Sequence, residues 1–341
     1  MTPRAFAIGA AVLALIATAL PARHPALAKP KTAPHVRVGL VFDVGGRGDK
    51  SFNDSAFEGL LRAERELGAE ISFLEPTGAE DREAALRLFA ARHMDLVIGV
   101  GFIFSSDIDL VAQAYPSVSF ACVDYAPSGD HPIPQNVAGL DFREEEGAFL
   151  VGGVAGKLTK TGHVGFVGGM TIPLIAKFEA GYAAGVKATC HTCVVHSAYA
   201  GASPDAFKDP AKGKLLAASE IAQGADVIFH ASGSTGHGVF EAAREAHIYA
   251  IGVDSDQYDE MPGVVATSMI KRVDVAVFDA IKDAALHTFV GGRVIGLGIG
   301  DQGVDYVHEG EHAALLTVAL KEAVEGLRQD VLSGRTKVPN R

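Results

Sequence analysis

Residues 36–67, VRVGLVFDVGGRGDKSFNDSAFEGLLRAEREL, contain the unit from which the rest of the chain is built. Residues 36–44 form a nearly continuous apolar run of strand length, the pattern of a strand buried on both faces. Over 51–67 the residues Ala56, Leu60, Ala63 and Leu67 recur on one helical face. The pair then repeats: strand at 71–74, helix around 80–92, strand at 96–100, helix around 108–115, strand at 118–123. Apolar strands alternating with amphipathic helices predict an α/β fold whose parallel sheet is covered on both sides.

A strand at 137–142 leads into a Gly- and Ala-rich helix at 144–158, and the rhythm restarts. Strands at 164–167, 194–198, 227–230 and 249–253 alternate with helices near 172–187, 212–223 and 238–246, which makes a second α/β domain. After a strand at 264–270, a helix at 273–290 and the Gly-rich GLGIGDQG (296–303) carry the chain back to the first domain and across again. At 341 residues, 48% of them hydrophobic, the chain is too long for one core. No Ser/Pro-rich tether separates the halves, so several short crossovers connect them.

A formal charge of -11, from 41 acidic and 30 basic residues, opposes binding to nucleic acid or anionic membranes. Three cysteines are too few for a disulfide scaffold or an all-Cys zinc site, so no metal or cofactor is expected. The N-terminus reads as an export signal over 1–28: Arg4 precedes the apolar run 5–20, and Ala26-Leu27-Ala28 forms a small-residue cleavage site. Cleavage after Ala28 takes the charge to -13, because Arg4 and Arg23 leave and no acid does. The first cysteine is Cys122, so no cysteine lies near that point to carry a lipid, and a free periplasmic protein is expected.

In parallel sheets ligands bind beyond the carboxyl ends of the strands. The residues there are Asp43, Gly99, Gly101, Asp124, Gly168, Gly169, the run 232–236 with Gly233 and Gly236, and Asp254. Glycines admit close backbone approach and carboxylates accept hydrogen bonds from a polar ligand; a single strand-end Asp can equally cap the next helix. Phe52-Asn53 opens a helix at this rim. It is either a stacking ring beside an amide, suited to a planar heterocycle, or a first-turn core residue and its cap.

Several motifs resemble catalytic signatures and fail on context. His308-Glu309-Gly310-Glu311-His312 matches the H-E-x-x-H zinc-protease pattern, but Gly310 interrupts the helix that pattern needs, next to a strand-like VDYV (304–307). GGRGDKS (45–51) has the wrong spacing for a phosphate loop, and no G-x-S-x-G elbow occurs. Cys190 and Cys193 read as a local disulfide formed on export rather than a metal or redox site. Glu144 to Glu146 read as a solvated first helical turn favoured by the helix dipole.

VGLVFDVGGRGDKSFNDSAFEGL (38–60) resembles the opening of the basic membrane protein family, whose best-known branch is the purine nucleoside receptor A-like group of ABC-transporter substrate-binding proteins. Collinear stretches are similar too: DLVIGVGFIF (95–104), VAGLDFREEEGAFLVGGVAG (137–156), GHVGFVGGM (162–170), ADVIFHASGSTGHGV (225–239), IGVDSDQ (251–257) and TSMIKRVDVAV (267–277).

The resemblance implies a type I periplasmic-binding-protein fold, two doubly wound parallel-sheet lobes joined by a three-segment hinge. The lobes are expected over 34–141 plus 270–298 and over 142–269 plus 299–335. It implies a purine nucleoside as ligand, delivered by a monomer to an ABC permease of the inner membrane. Phe52 would stack on the base, Asn53 would bond its edge, and Asp43 and Asp124 would be further acceptors. Asp254 would take the ribose hydroxyls, and Lys271 would donate to the sugar. Phe178, Phe207 and Phe229 are the candidates for a second aromatic wall. The family's usual two acids before Lys-Ser-Phe-Asn are here Gly48-Asp49, which leaves the capping of that loop open. No catalytic constellation is seen, so the chain reads as a binding receptor rather than an enzyme; a periplasmic sensor and an exported nucleoside hydrolase are the rival readings.

Overall fold

The computed structural model describes residues 36–76, 79–127, 129 and 131–341, so the expected export signal lies outside the described residues. Among the described residues, no helix is long and apolar enough to cross a membrane.

The first repeat runs β1 (Arg37–Val41), α1 (Phe52–Leu67), β2 (Glu70–Leu74), α2 (Ala79–Ala91), β3 (Leu96–Val100), α3 (Ser105–Ala114), β4 (Ser119–Val123) and β5 (Val137–Phe142). The second runs α4 (Glu144–Leu158), β6 (His163–Met170), α5 (Pro173–Thr189), β7 (Val194–Gly201), α6 (Pro210–Ala222), β8 (Val227–Ala231), α7 (Gly236–Ala246), β9 (Tyr249–Asp254) and β10 (Val265–Lys271). α8 (Val273–Ala285), β11 (Arg293–Leu297), β12 (Val304–Tyr306) and α9 (Val318–Leu332) complete the chain.

The strands form two six-stranded sheets, ordered β2-β1-β3-β4-β5-β11 and β7-β6-β8-β9-β10-β12. Every pairing in the first sheet is parallel. In the second, only the β10–β12 pair is antiparallel. The two sheets define two α/β lobes. The chain passes between them after β5, after β10 and after β11.

The strands stay buried because helices cover both faces: Val38, Leu40, Ile98 and Val123 are fully buried. Glycines permit close helix contacts. On α4 and α5 a Cβ at Gly152 would lie 2.2 Å from the Tyr182 carbonyl oxygen, and one at Gly185 would lie 2.0 Å from that of Phe149. The Gly- and Ala-rich composition of 144–158 therefore serves close packing. The helix expected over 273–290 stops at Ala285. His287 takes φ +56°, and Thr288 turns its amide back onto the Asp283 carbonyl, which leaves Leu286 and Val290 exposed.

Candidate functional site

Both sheets point their carboxyl ends at one cavity between the lobes, with about 630 Å³ of open space including its mouth, within the range of small-molecule pockets. The first lobe supplies Asp43, Asp49, Phe52, Asn53 and Asp124. The second supplies Phe178, Phe207, Gly233, Asp254 and Lys271. Four carboxylates thus face one lysine.

Asp43 follows β1, accepts the Val44 N–H at 2.6 Å, and leaves no room for a side chain at Gly101: a Cβ there would lie 2.3 Å from Asp43 Oδ2. Gly101 also has φ +108°, so its position demands glycine twice over. Burial, reinforced by the nearby Asp124 charge, pushes the Asp43 carboxyl up to about 7.

The turn before α1 is organised by Asp49. Its carboxylate accepts from the backbone N–H groups of Ser51, Asn53 and Asp54 at 3.0, 2.9 and 3.1 Å and from Asn53 Nδ2 at 3.1 Å. This single acid caps α1, which answers the question left by Gly48-Asp49. Asn53 Oδ1 in turn accepts the Asp43 N–H at 3.0 Å, so the Asn53 amide is tied into the loop with one N–H and one lone pair to spare.

Lys271 ends β10 and is 2% exposed. Its Nζ lies 2.7 and 2.8 Å from the two Asp124 oxygens and 3.1 Å from Glu144 Oε1. Glu144 reaches a second cation, Lys177, whose Nζ also donates to Asp141 Oδ1 at 3.1 Å. Burial alone would lower the Lys271 ammonium; the Asp124, Glu144 and Asp254 charges outweigh it and raise it. Burial drives Asp124 and Glu144 upward while Lys271 holds them down.

Lys271 is therefore an ion-pair centre joining the lobes, with Phe52 and Phe178 at 5.0 and 5.8 Å from Nζ. Asp254 is pushed up to about 6 by burial, against the opposing pull of Lys271 and a hydrogen bond from Ser51. Beneath the first-lobe rim lies the buried thiol of Cys122, 3.7 Å from the Gly101 carbonyl oxygen.

Three expectations need correction. Glu144 and Glu145 are not solvated: Glu144 is fully buried and Glu145 is 8% exposed, because the crossover after β5 tucks the first turn of α4 against β10. Phe229 does not face the cavity; it packs in the second-lobe core, with ring centroids 5.2 Å from Tyr182 and 5.8 Å from Phe166. Gly236 also lies away from the cavity, and its missing Cβ makes room for the His230 ring. Asp49, Ser51 and Glu144 went unrecognised as site-forming residues. The signal for Glu144 was its place two residues beyond a strand that leaves its sheet.

His308 precedes a short 3-10 turn, Glu311–Ala313, that contains His312, and His312 is bonded to Asp256 at 2.7 Å and stacked on Tyr258. No group of three or more metal-ligating side chains occurs among the described residues. Cys190 and Cys193 are joined in a disulfide, as the sequence suggested.

Two α/β lobes of identical strand order, closing on a buried cleft that is polar at its base and aromatic at its walls, define a type I bilobal solute-binding protein. The chain belongs to the family of PnrA-like ABC transporter substrate-binding proteins, whose model matches residues 36–341. This is a family of extracytoplasmic binding proteins and not of enzymes. The chain is 30% identical to the ABC transporter nucleoside-binding protein BmpA of Lactococcus lactis over all of both chains. It is 38% identical to an uncharacterized lipoprotein of Pyrococcus abyssi, with 80% of this chain and 69% of that protein covered. Among solved structures, an ABC transporter solute-binding protein from Aeropyrum pernix matches with a TM-score of 0.78 and 31% identity over 90% of this chain and 94% of that one.

Proposed function

We propose that this protein binds a purine nucleoside between its lobes and delivers it to an ABC permease, acting as a free periplasmic carrier. The observation that carries the reading is the pairing of Phe52 and Phe178, one ring from each lobe, around a carboxylate-rich floor. The similarity to the nucleoside-binding protein BmpA of Lactococcus lactis supports it. In this reading the base stacks on Phe52, and Phe178 and Phe207 close over it from the second lobe. Asp43 and the spare positions of Asn53 meet its edge.

Asp254 accepts from the ribose hydroxyls through Oδ1, since Ser51 occupies Oδ2. Asp124 is held ready by Lys271. The four lining carboxylates also repel a phosphate, so the nucleoside is taken without one. Calorimetry with guanosine, inosine and adenosine is the test: binding is expected, weaker for the 2'-deoxy forms. No heat with any of the three, or conversion to free base and sugar, would overturn the reading.

A further inference from the structure

Apart from the cavity, the lobes are joined by hydrogen bonds between the turn that precedes α1 and the turn that follows β9. Ser51 Oγ donates to Asp254 Oδ2 at 2.5 Å, Ser255 Oγ donates to the Ser51 carbonyl at 3.3 Å, and Gln257 Nε2 donates to the Lys50 carbonyl at 3.2 Å. Ser51, Ser255 and Gln257 do not line the cavity. Ser51 is fully buried and Gln257 is 1% exposed, so water has little access to the Ser51–Asp254 bond, while the Ser255 and Gln257 bonds are part-buried.

The Gln257 amide is not free to choose its orientation. Its Oε1 accepts the Val253 backbone N–H at 2.9 Å and faces His230 Nε2 at 3.1 Å, and its own backbone N–H donates to Ser268 Oγ at 3.0 Å. Val253 can only donate here, which fixes the oxygen on that side and turns the NH₂ toward Lys50. His230 must then carry its proton on Nε2, leaving Nδ1 to accept from Ser232 Oγ at 3.2 Å. The imidazole is fully buried, edge-on to Phe240, and burial lowers it to about 3, so it stays neutral.

We infer that Ser51, Ser255 and Gln257 form a latch that holds the two lobes together whether or not the cavity is filled, and that His230 is a positioning residue, holding the Gln257 oxygen in place beside the Val253 N–H that sets its orientation. The latch sits at the rim, so it slows the opening step through which any ligand must leave. Opening breaks three hydrogen bonds that water only partly replaces in the act.

Small-angle X-ray scattering of the protein without added nucleoside tests this directly. Gln257→Leu and Ser51→Ala should each enlarge the radius of gyration, with an unchanged near-ultraviolet circular dichroism spectrum showing that the lobes themselves stay folded. Should Gln257→Leu fail to fold, Ser51→Ala decides alone. His230→Leu should reproduce part of the Gln257→Leu expansion and add nothing to it in the double variant, whereas a merely structural role for the histidine would add a separate effect. With guanosine as probe, release should quicken about two- to tenfold per lost hydrogen bond. Scattering curves of the folded variants that superimpose on that of the unsubstituted protein would overturn the latch. Failure of guanosine to bind would overturn the nucleoside reading instead, leaving scattering to judge the latch.

Discussion

The two lobes share one strand order and differ in what they bring to the cleft. Asp124, just after β4, and Asp254, the last residue of β9, occupy equivalent places, and both take a left-handed backbone, φ +57° and +65°, which Asp tolerates better than most residues. Beyond that pair the halves diverge. The first lobe adds two more carboxylates, Asp43 and Asp49, with the rings of Phe52 and Phe102; the second adds Phe178, Phe207 and the lysine that neutralises its neighbour's acids. The scaffold fixes where a site residue can stand, and each lobe fills those places with different chemistry.

The join between the lobes is the place to break this division most severely. Lys271→Met would leave Asp124 and Glu144 buried without their shared cation, and urea denaturation should show a loss of about 3–5 kcal/mol. Within the second lobe alone, Glu220 is 1% exposed, and burial pushes it up to about 9. Its folded form stays protonated while the unfolded chain ionises above the ordinary carboxylate range. Stability should therefore fall as pH rises from about 4.5 to about 9, by up to about 1.4 kcal/mol per unit. Glu220→Gln should flatten that slope, and denaturation at pH 6 and pH 8 would measure it. A slope that survives the substitution would place the titration elsewhere.

The aromatic walls sharpen the comparison further. Phe52→Ala should weaken guanosine binding by about 1–3 kcal/mol in calorimetry, and Phe178→Ala by a similar amount if the two lobes share the base equally. A large effect from one ring only would assign the stacking to one lobe. The smallest expected change is in the loop itself: Asp49→Ala removes the α1 cap and should cost about 0.5–2 kcal/mol in thermal unfolding.

Much of this was readable from residue patterns. The alternation of apolar runs with helical stretches located nearly every element, since periodicity reports which faces are covered. It reports nothing about which lobe covers them. Glu144 to Glu146 look like any acidic helix start; the first of them is buried because β10, distant in sequence but in the same lobe, arrives beside it carrying Lys271. For the same reason Phe178 and Phe229, both aromatic and both in the second lobe, could not be told apart. Their rings lie 6.5 Å from each other, with only Phe178 at the cavity. Gly48-Asp49 was visible as a departure from the family's usual pair of acids, and the function of Asp49 as a cap emerged from its hydrogen bonds.

The chain has three cysteines, and with Cys190 and Cys193 bonded to each other the third, Cys122, is its single thiol. Burial raises that thiol well above its ordinary value and seals it in the middle of the first sheet, so a thiol-reactive dye gains entry only when that sheet comes apart. The protein thus carries a built-in clock for one half of itself. The rate of dye uptake times the unravelling of the first lobe without any engineered label, while the other half keeps no free sulfur to confuse the count.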